Sequence, residues 1–115
     1  MAEEVSEIDY LAFERVDVRV GVIRAVTMAD GCRLPAYKLE IDFGGDVGWK
    51  RSIAQATNYS IETLIGKQVL AVVNLKPRQV GKHISEVLVL GVPTLSKGTA
   101  LAVPDMEAVV GSRLF

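Results

Sequence analysis

The sequence predicts a small all-β domain, a closed barrel carrying short helices, and three observations support that expectation. Alternating polarity fills residues 16–23 and 37–43, the period-two pattern of strands with one buried face. Two strongly apolar runs, 69–75 and 87–92, flank a compact basic stretch and read as strands buried on both faces. Helix signals are short and confined to the surroundings of Ser6 and Ser60.

Near the N-terminus, Ser6 followed by Glu7 and Asp9 marks a helix start, because acids in the first turn complement the positive end of the helix dipole. Ile8, Leu11 and Ala12 form its inward stripe, and a helix under three turns long needs a surface to lie on. Val16, Val18, Val20 and Val22 then share one face of a first strand, after which Ile23 and Ala25 are apolar across Arg24. That one-residue slip beside Gly21 predicts a bulge in a long bent strand, as small closed barrels require. Asp30, Gly31 and Pro35 make a loop. In the second strand, Tyr37, Leu39, Ile41 and Phe43 alternate with Lys38, Glu40 and Asp42. Gly44 and Gly45 turn the chain before a weaker third strand at 49–55. The segment FGGDVG is a hairpin turn rather than a phosphate loop, since Asp42 and Asp46 flank it and no Lys-Ser/Thr pair follows.

Ser60 is an N-cap, Glu62 sits in the first turn, Leu64 and Ile65 face inward and Gly66 terminates this second helix. The apolar runs complete the order strand, strand, strand, short helix, strand, strand. That is the plan of the OB-fold, a five-stranded barrel with a helix between strands three and four. Between the runs, Lys76, Arg78, Lys82 and His83 occupy a loop punctuated by Pro77 and Gly81. Residues 99–103 are again strand-like, and 104–115 form a tail whose final Leu114 and Phe115 are expected to dock.

With 115 residues, the chain is a single domain able to build its own core. Hydrophobic residues make up 50% of it, which points to an apolar face covered by a second copy or kept for a ligand, or else to an apolar-rich monomer core. The net charge of −1 hides a segregation. Acids Glu3, Glu4, Glu7, Asp9, Glu14 and Asp17 crowd the first seventeen residues, whereas Lys50, Arg51, Lys67, Lys76, Arg78 and Lys82 dominate 47–84. Such a split suits a polyanion-binding face or an electrostatically matched subunit contact. One cysteine, Cys32, allows no internal disulfide and fits a reducing, cytoplasmic setting. Neither a secretory signal nor a membrane-spanning run is expected.

Enzymatic chemistry finds no support. Cys32 and His83 lie in separate loops without a triad motif, zinc ligands at useful spacings are lacking, and no nucleotide motif occurs. No cofactor is therefore expected. Stacking of single-stranded nucleic acid on strand two is disfavoured because Tyr37 and Phe43 share the face of Leu39 and Ile41. Trp49 and Tyr59 remain as rings that are either exposed or part of a core or interface. A structured RNA gripped through its backbone needs only fixed cations, which Lys76, Arg78 and Lys82 supply.

The stretches VDVRVGVI (16–23), AYKLEIDFG (36–44), ETLIGKQVLAVVNLKPRQV (62–80) and SEVLVLG (85–91) resemble the tRNA-binding domain family. That family includes the C-terminal domain of bacterial methionyl-tRNA synthetases and the endothelial monocyte-activating polypeptide domain. Through SIAQATN (52–58), PAYKLEIDFG (35–44), PRQV (77–80) and SEVLVLG the chain is most similar to its export-related chaperone branch, the CsaA group. The resemblance implies an OB-fold homodimer of one domain, 1–115, with a barrel at 12–92 and dimerisation extensions at 1–11 and 93–115. It further implies hydrophobic depressions for unfolded or export-bound polypeptides, with tRNA as the alternative partner. The family's tRNA contacts carry over to Asn74, Lys76, Arg78, Ser85 and Glu86, and Lys82 joins them from the basic loop. Departures occur where tRNA-binding members commonly read Ser-Glu-Gly-Met, here Ser85, Glu86, Val87 and Leu88, and where Pro35 stands in place of a lysine.

Overall fold

The computed structural model describes residues 5–115, so Glu3 and Glu4 and the start of the expected N-terminal extension lie outside the described residues. The chain runs α1 (Tyr10–Glu14), β1 (Val18–Met28), β2 (Tyr37–Asp42), β3 (Trp49–Ala54), α2 (Ile61–Leu64), β4 (Gln68–Val72), β5 (Arg78–Val80), β6 (His83–Ser85), β7 (Leu88–Val89), β8 (Gly91–Pro93) and β9 (Thr99–Leu101). Five antiparallel strands form the main sheet in the order β3-β2-β1-β4-β7. Its two ends approach each other where Glu86 N–H donates to Arg51 O at 2.8 Å and Val87 N–H donates to the same oxygen at 3.3 Å. The expected all-β, OB-type barrel with a helix between strands three and four is thus what forms.

The bulge falls where the sequence slips. β1 pairs with β2 through Val22↔Asp42 and Ile23↔Ile41, then skips Arg24 to resume at Ala25↔Glu40. This lets β1 bend and pair with β4 along its first half. Ile23, Leu39, Ile41, Phe43, Leu64 and Val69 fill the interior. Gly21 is there because of close approach rather than turning: a Cβ would lie 2.5 Å from Ile41 Cγ2 and 2.7 Å from the Phe43 ring. Gly21→Ala is expected to cost about 1–3 kcal/mol by overpacking, seen as a lower urea midpoint with an unchanged slope.

Several expectations need correction. Asp9, not Ser6, stands at the N-cap position of helix α1, without a side-chain capping hydrogen bond, and none of the helix residues is buried. Its stripe residues Leu11 and Ala12, and Ile8 before it, face solvent in the single chain. Ser60 does cap α2, accepting from Thr63 N–H at 3.2 Å, but the backbone turns extended at Ile65. Leu64 is therefore buried while Ile65 is 50% exposed. The run 87–92 is not one strand buried on both faces. It breaks at Leu90, and β8 swings away to pair with β9, leaving Val92 exposed; Leu88, paired with Val72 in the main sheet, is also exposed. The tail lies along β1, where Gly111 N–H donates to Val20 O and Leu114 N–H donates to Val18 O. Leu114 is half-buried and Phe115 fully exposed.

Candidate functional site

The basic stretch is a β-hairpin, not the loop expected. β5 and β6 pair through Arg78↔Ser85, Gln79↔Ile84 and Val80↔His83, joined by Gly81 and Lys82. Gly81 has φ +60°, as a mirror-image two-residue turn with glycine first demands. A second, small core pins this hairpin to the barrel. Ile53 pairs with Lys38 and so shares its outward face, yet it is buried beneath Ala29, Ala36, Cys32 and Val80. His83 Nε2 sits 2.8 Å from Asp30 O. A Cβ at Gly81 would meet Gly31 O at 3.0 Å, so the hairpin tip and the β1–β2 loop are in close contact.

The six residues predicted for the site separate by role. Lys76, Arg78 and Lys82 are exposed, and among the described residues none of them forms an ion pair. The polar atoms of the others are engaged within the fold. Asn74 Nδ2 donates to Arg15 O at 2.8 Å while its Oδ1 accepts from Asp17 N–H at 2.9 Å, stapling the start of the basic segment to the α1–β1 junction. Ser85 is buried. Its Oγ accepts from Ile53 N–H at 3.0 Å and donates to Val87 O at 3.1 Å.

The Glu86 carboxylate accepts from Arg51 N–H at 2.9 Å and pairs with the Arg51 guanidinium at 3.4 Å. The hydrogen bond from the Arg51 backbone, helped by that of its side chain, holds Glu86 below the ordinary glutamate range. Asp17 is lowered likewise, first by the side-chain hydrogen bond from Arg19. Ser85 and Glu86 therefore stitch β3 to the strand segment that closes the barrel, by side chains where a backbone ladder is thin.

The hairpin forms one wall of a groove of about 610 Å³, between the β1–β2 loop, the end of β3 and the β8–β9 ribbon. Leu34, Leu88, Val92 and Leu101 give it an aliphatic lining, and Arg33, Arg78 and Lys97 stand on it. A smaller slot of about 230 Å³ adjoins it, lined by Leu75, Val87 and Leu88 together with Lys76, Arg78, Ser85 and Glu86. Arg33, Leu34, Val92 and Lys97 carry no local sequence signal. They are brought here by a long loop and by the departure of β8 from the barrel. The open question about rings is resolved: Trp49 is 58% exposed, whereas Tyr59 is half-buried and its OH accepts from Leu101 N–H at 3.0 Å. Cys32 and His83 do reach the same β1–β2 loop, but as packing and hydrogen-bonding partners. No cluster of metal-binding side chains occurs among the described residues, and no helix among them is long and apolar enough to cross a membrane.

Known proteins share both the fold and the sequence. The crystal structure of a CsaA chaperone protein from Picrophilus torridus superposes with a TM-score of 0.89 at 44% identity, over 95% of this chain and 100% of that one. The chaperone CsaA from Bacillus anthracis str. Ames gives 0.88 at 39% identity, over 96% and 100% respectively. Methionine--tRNA ligase of Bdellovibrio bacteriovorus is 36% identical over 112 residues, which are 95% of this chain but 16% of that enzyme. The chain thus spans about one sixth of the length of the curated relatives it matches. Residues 18–113 match the family described as a putative tRNA binding domain, and the chain belongs to that family.

Proposed function

We propose that this chain is a CsaA-like, non-enzymatic and ATP-independent holdase that binds unfolded or export-bound polypeptides as a homodimer in the cytoplasm. The observation that carries the reading is the groove of about 610 Å³ with aliphatic lining, open to solvent. Its size and lining suit apolar side chains of an extended segment. The likeness to CsaA chaperones over the whole chain supports the same assignment. Homodimerisation is supported by α1, five residues with none buried, since so short a helix is unstable unless something covers it. Tyr10 and Phe115 of the extensions line one depression with Phe13, Val16 and Leu114, beside Glu14 and Arg113. The test is direct: purified protein should slow aggregation of a chemically denatured client without nucleotide and bind apolar peptides saturably. Failure of both removes the reading.

A second reading, binding of structured tRNA, is favoured by the family match and by the cations Arg78 and Lys82 on the hairpin with Lys76 just before it, none of which forms an ion pair among the described residues. Asn74, Ser85 and Glu86 serve it indirectly, by holding that hairpin in place. Replacing the three cations by alanine is expected to lower the slope of log affinity against log salt by about 2–3, measured by filter binding of tRNA across a salt series. An unchanged slope removes this hairpin from any RNA contact.

A further inference from the structure

The groove and the slot are not independent, since Arg78 and Leu88 line both of them. They form one track, two aliphatic depressions separated by a ridge that carries a guanidinium. The charge along the track is mostly positive. Arg33, Arg78 and Lys97 stand on the larger depression, and Lys76 joins Arg78 on the smaller one. The single acid lining either is Glu86, whose carboxylate is already held by the Arg51 backbone and side chain. Among the described residues none of those four cations has an ionic partner.

Building on the polypeptide-binding reading above, we infer that this track selects extended polypeptide segments in which acidic residues lie between apolar ones. The apolar side chains fill the two depressions and the intervening carboxylates meet Arg78 and its neighbours. A segment with lysines at the same places sets like charges against each other in a partly desolvated site, which weakens it relative to the acidic one. Single-stranded nucleic acid also offers anions beside apolar rings, but its bases are held by stacking on aromatic side chains. No aromatic residue lines either depression. Aliphatic walls with scattered cations fit a polypeptide better.

The experiment compares two fluorescent peptides of equal length. In one, leucine-valine blocks flank a pair of glutamates; in the other, lysines replace the glutamates. Anisotropy titrations at low salt should show the acidic peptide binding about tenfold more tightly. Arg78→Glu should reverse the order, and Lys97→Glu should narrow the gap, providing a second readout if the hairpin variant folds poorly. Equal affinities, or preference for the lysine peptide, together with normal suppression of client aggregation, overturn the charge selection and leave the holdase reading standing. If no peptide binds and aggregation is not suppressed, both fall. Displacement of the acidic peptide by single-stranded oligonucleotide but never by unlabelled acidic peptide overturns the inference and reassigns the track to nucleic acid.

Discussion

Replacing Ser85 and Glu86 together by alanine is expected to open the barrel along β3 and to lower folding stability by about 2–4 kcal/mol. Most of that comes from Ser85. Its hydroxyl is buried and is the acceptor for Ile53 N–H, so Ser85→Ala leaves a buried donor unpaired, which costs about 1–3 kcal/mol. Glu86 is partly exposed and contributes less, through the backbone N–H of Arg51 and its guanidinium. Urea denaturation should show a lower midpoint, and hydrogen exchange should be accelerated at Arg51 and Ile53 before the β1–β2 pairing is affected.

A pH series isolates the carboxylate. Glu86 is held below its ordinary value in the folded chain, so its contribution is complete above the unfolded glutamate pKa. It is lost as pH falls through the lower, folded value. Glu86→Gln should remove that portion of the acid sensitivity while leaving the share contributed by Asp17, which is lowered by Arg19. An unchanged acid profile in Glu86→Gln, or stability untouched in Ser85→Ala, would mean the barrel is held shut by other contacts.

The sequence revealed elements whose pattern is local, and the site depended on contacts that are not. Alternation around Leu39 and Ile41, the slip across Arg24 and the Ser60 cap each act within a few residues, so strand, bulge and helix were readable. Period two cannot say which face a neighbour covers. Val92 and Leu88 look like core by composition, yet both are exposed: Val92 because β8 leaves the barrel for β9, and Leu88 on the outside of β7, which stays paired with β4. The basic segment looked like a loop since its anchor, Val80 on Ile53, joins positions 27 residues apart in the chain. Motif resemblance grouped Asn74, Ser85 and Glu86 with the cations. Only geometry separates side chains that hold the hairpin from those that face outward. The groove itself is a property of four segments remote in sequence, so Arg33 and Lys97 had no signature to find.

The second large effect concerns the pairing proposed for the extensions, with α1 (Tyr10–Glu14) continuing the N-terminal one, and Leu11→Asp with Phe13→Asp should abolish it. Within one chain neither side chain belongs to the barrel's core: Leu11 is 72% exposed, and Phe13 is 40% exposed, lying beside Tyr10 with ring centroids 6.2 Å apart and beside Val16 and Leu114 in a surface depression. The substitutions should therefore leave the barrel's unfolding midpoint almost unmoved. In a two-fold interface each change occurs twice. Burying one such side chain is worth about 1.5–3 kcal/mol, and an aspartate put in its place must be desolvated without a partner. The dissociation constant should rise by about a thousandfold or more, since each 1.4 kcal/mol is about tenfold. Sedimentation should then show folded particles of 12.5 kDa, against an expected twice that mass for the parent protein. A variant that still sediments as a dimer places the contact elsewhere on the surface. A parent protein that sediments as a monomer would leave α1 as an uncovered helix in solution, which its five residues cannot sustain. Circular dichroism would then show that segment to be frayed.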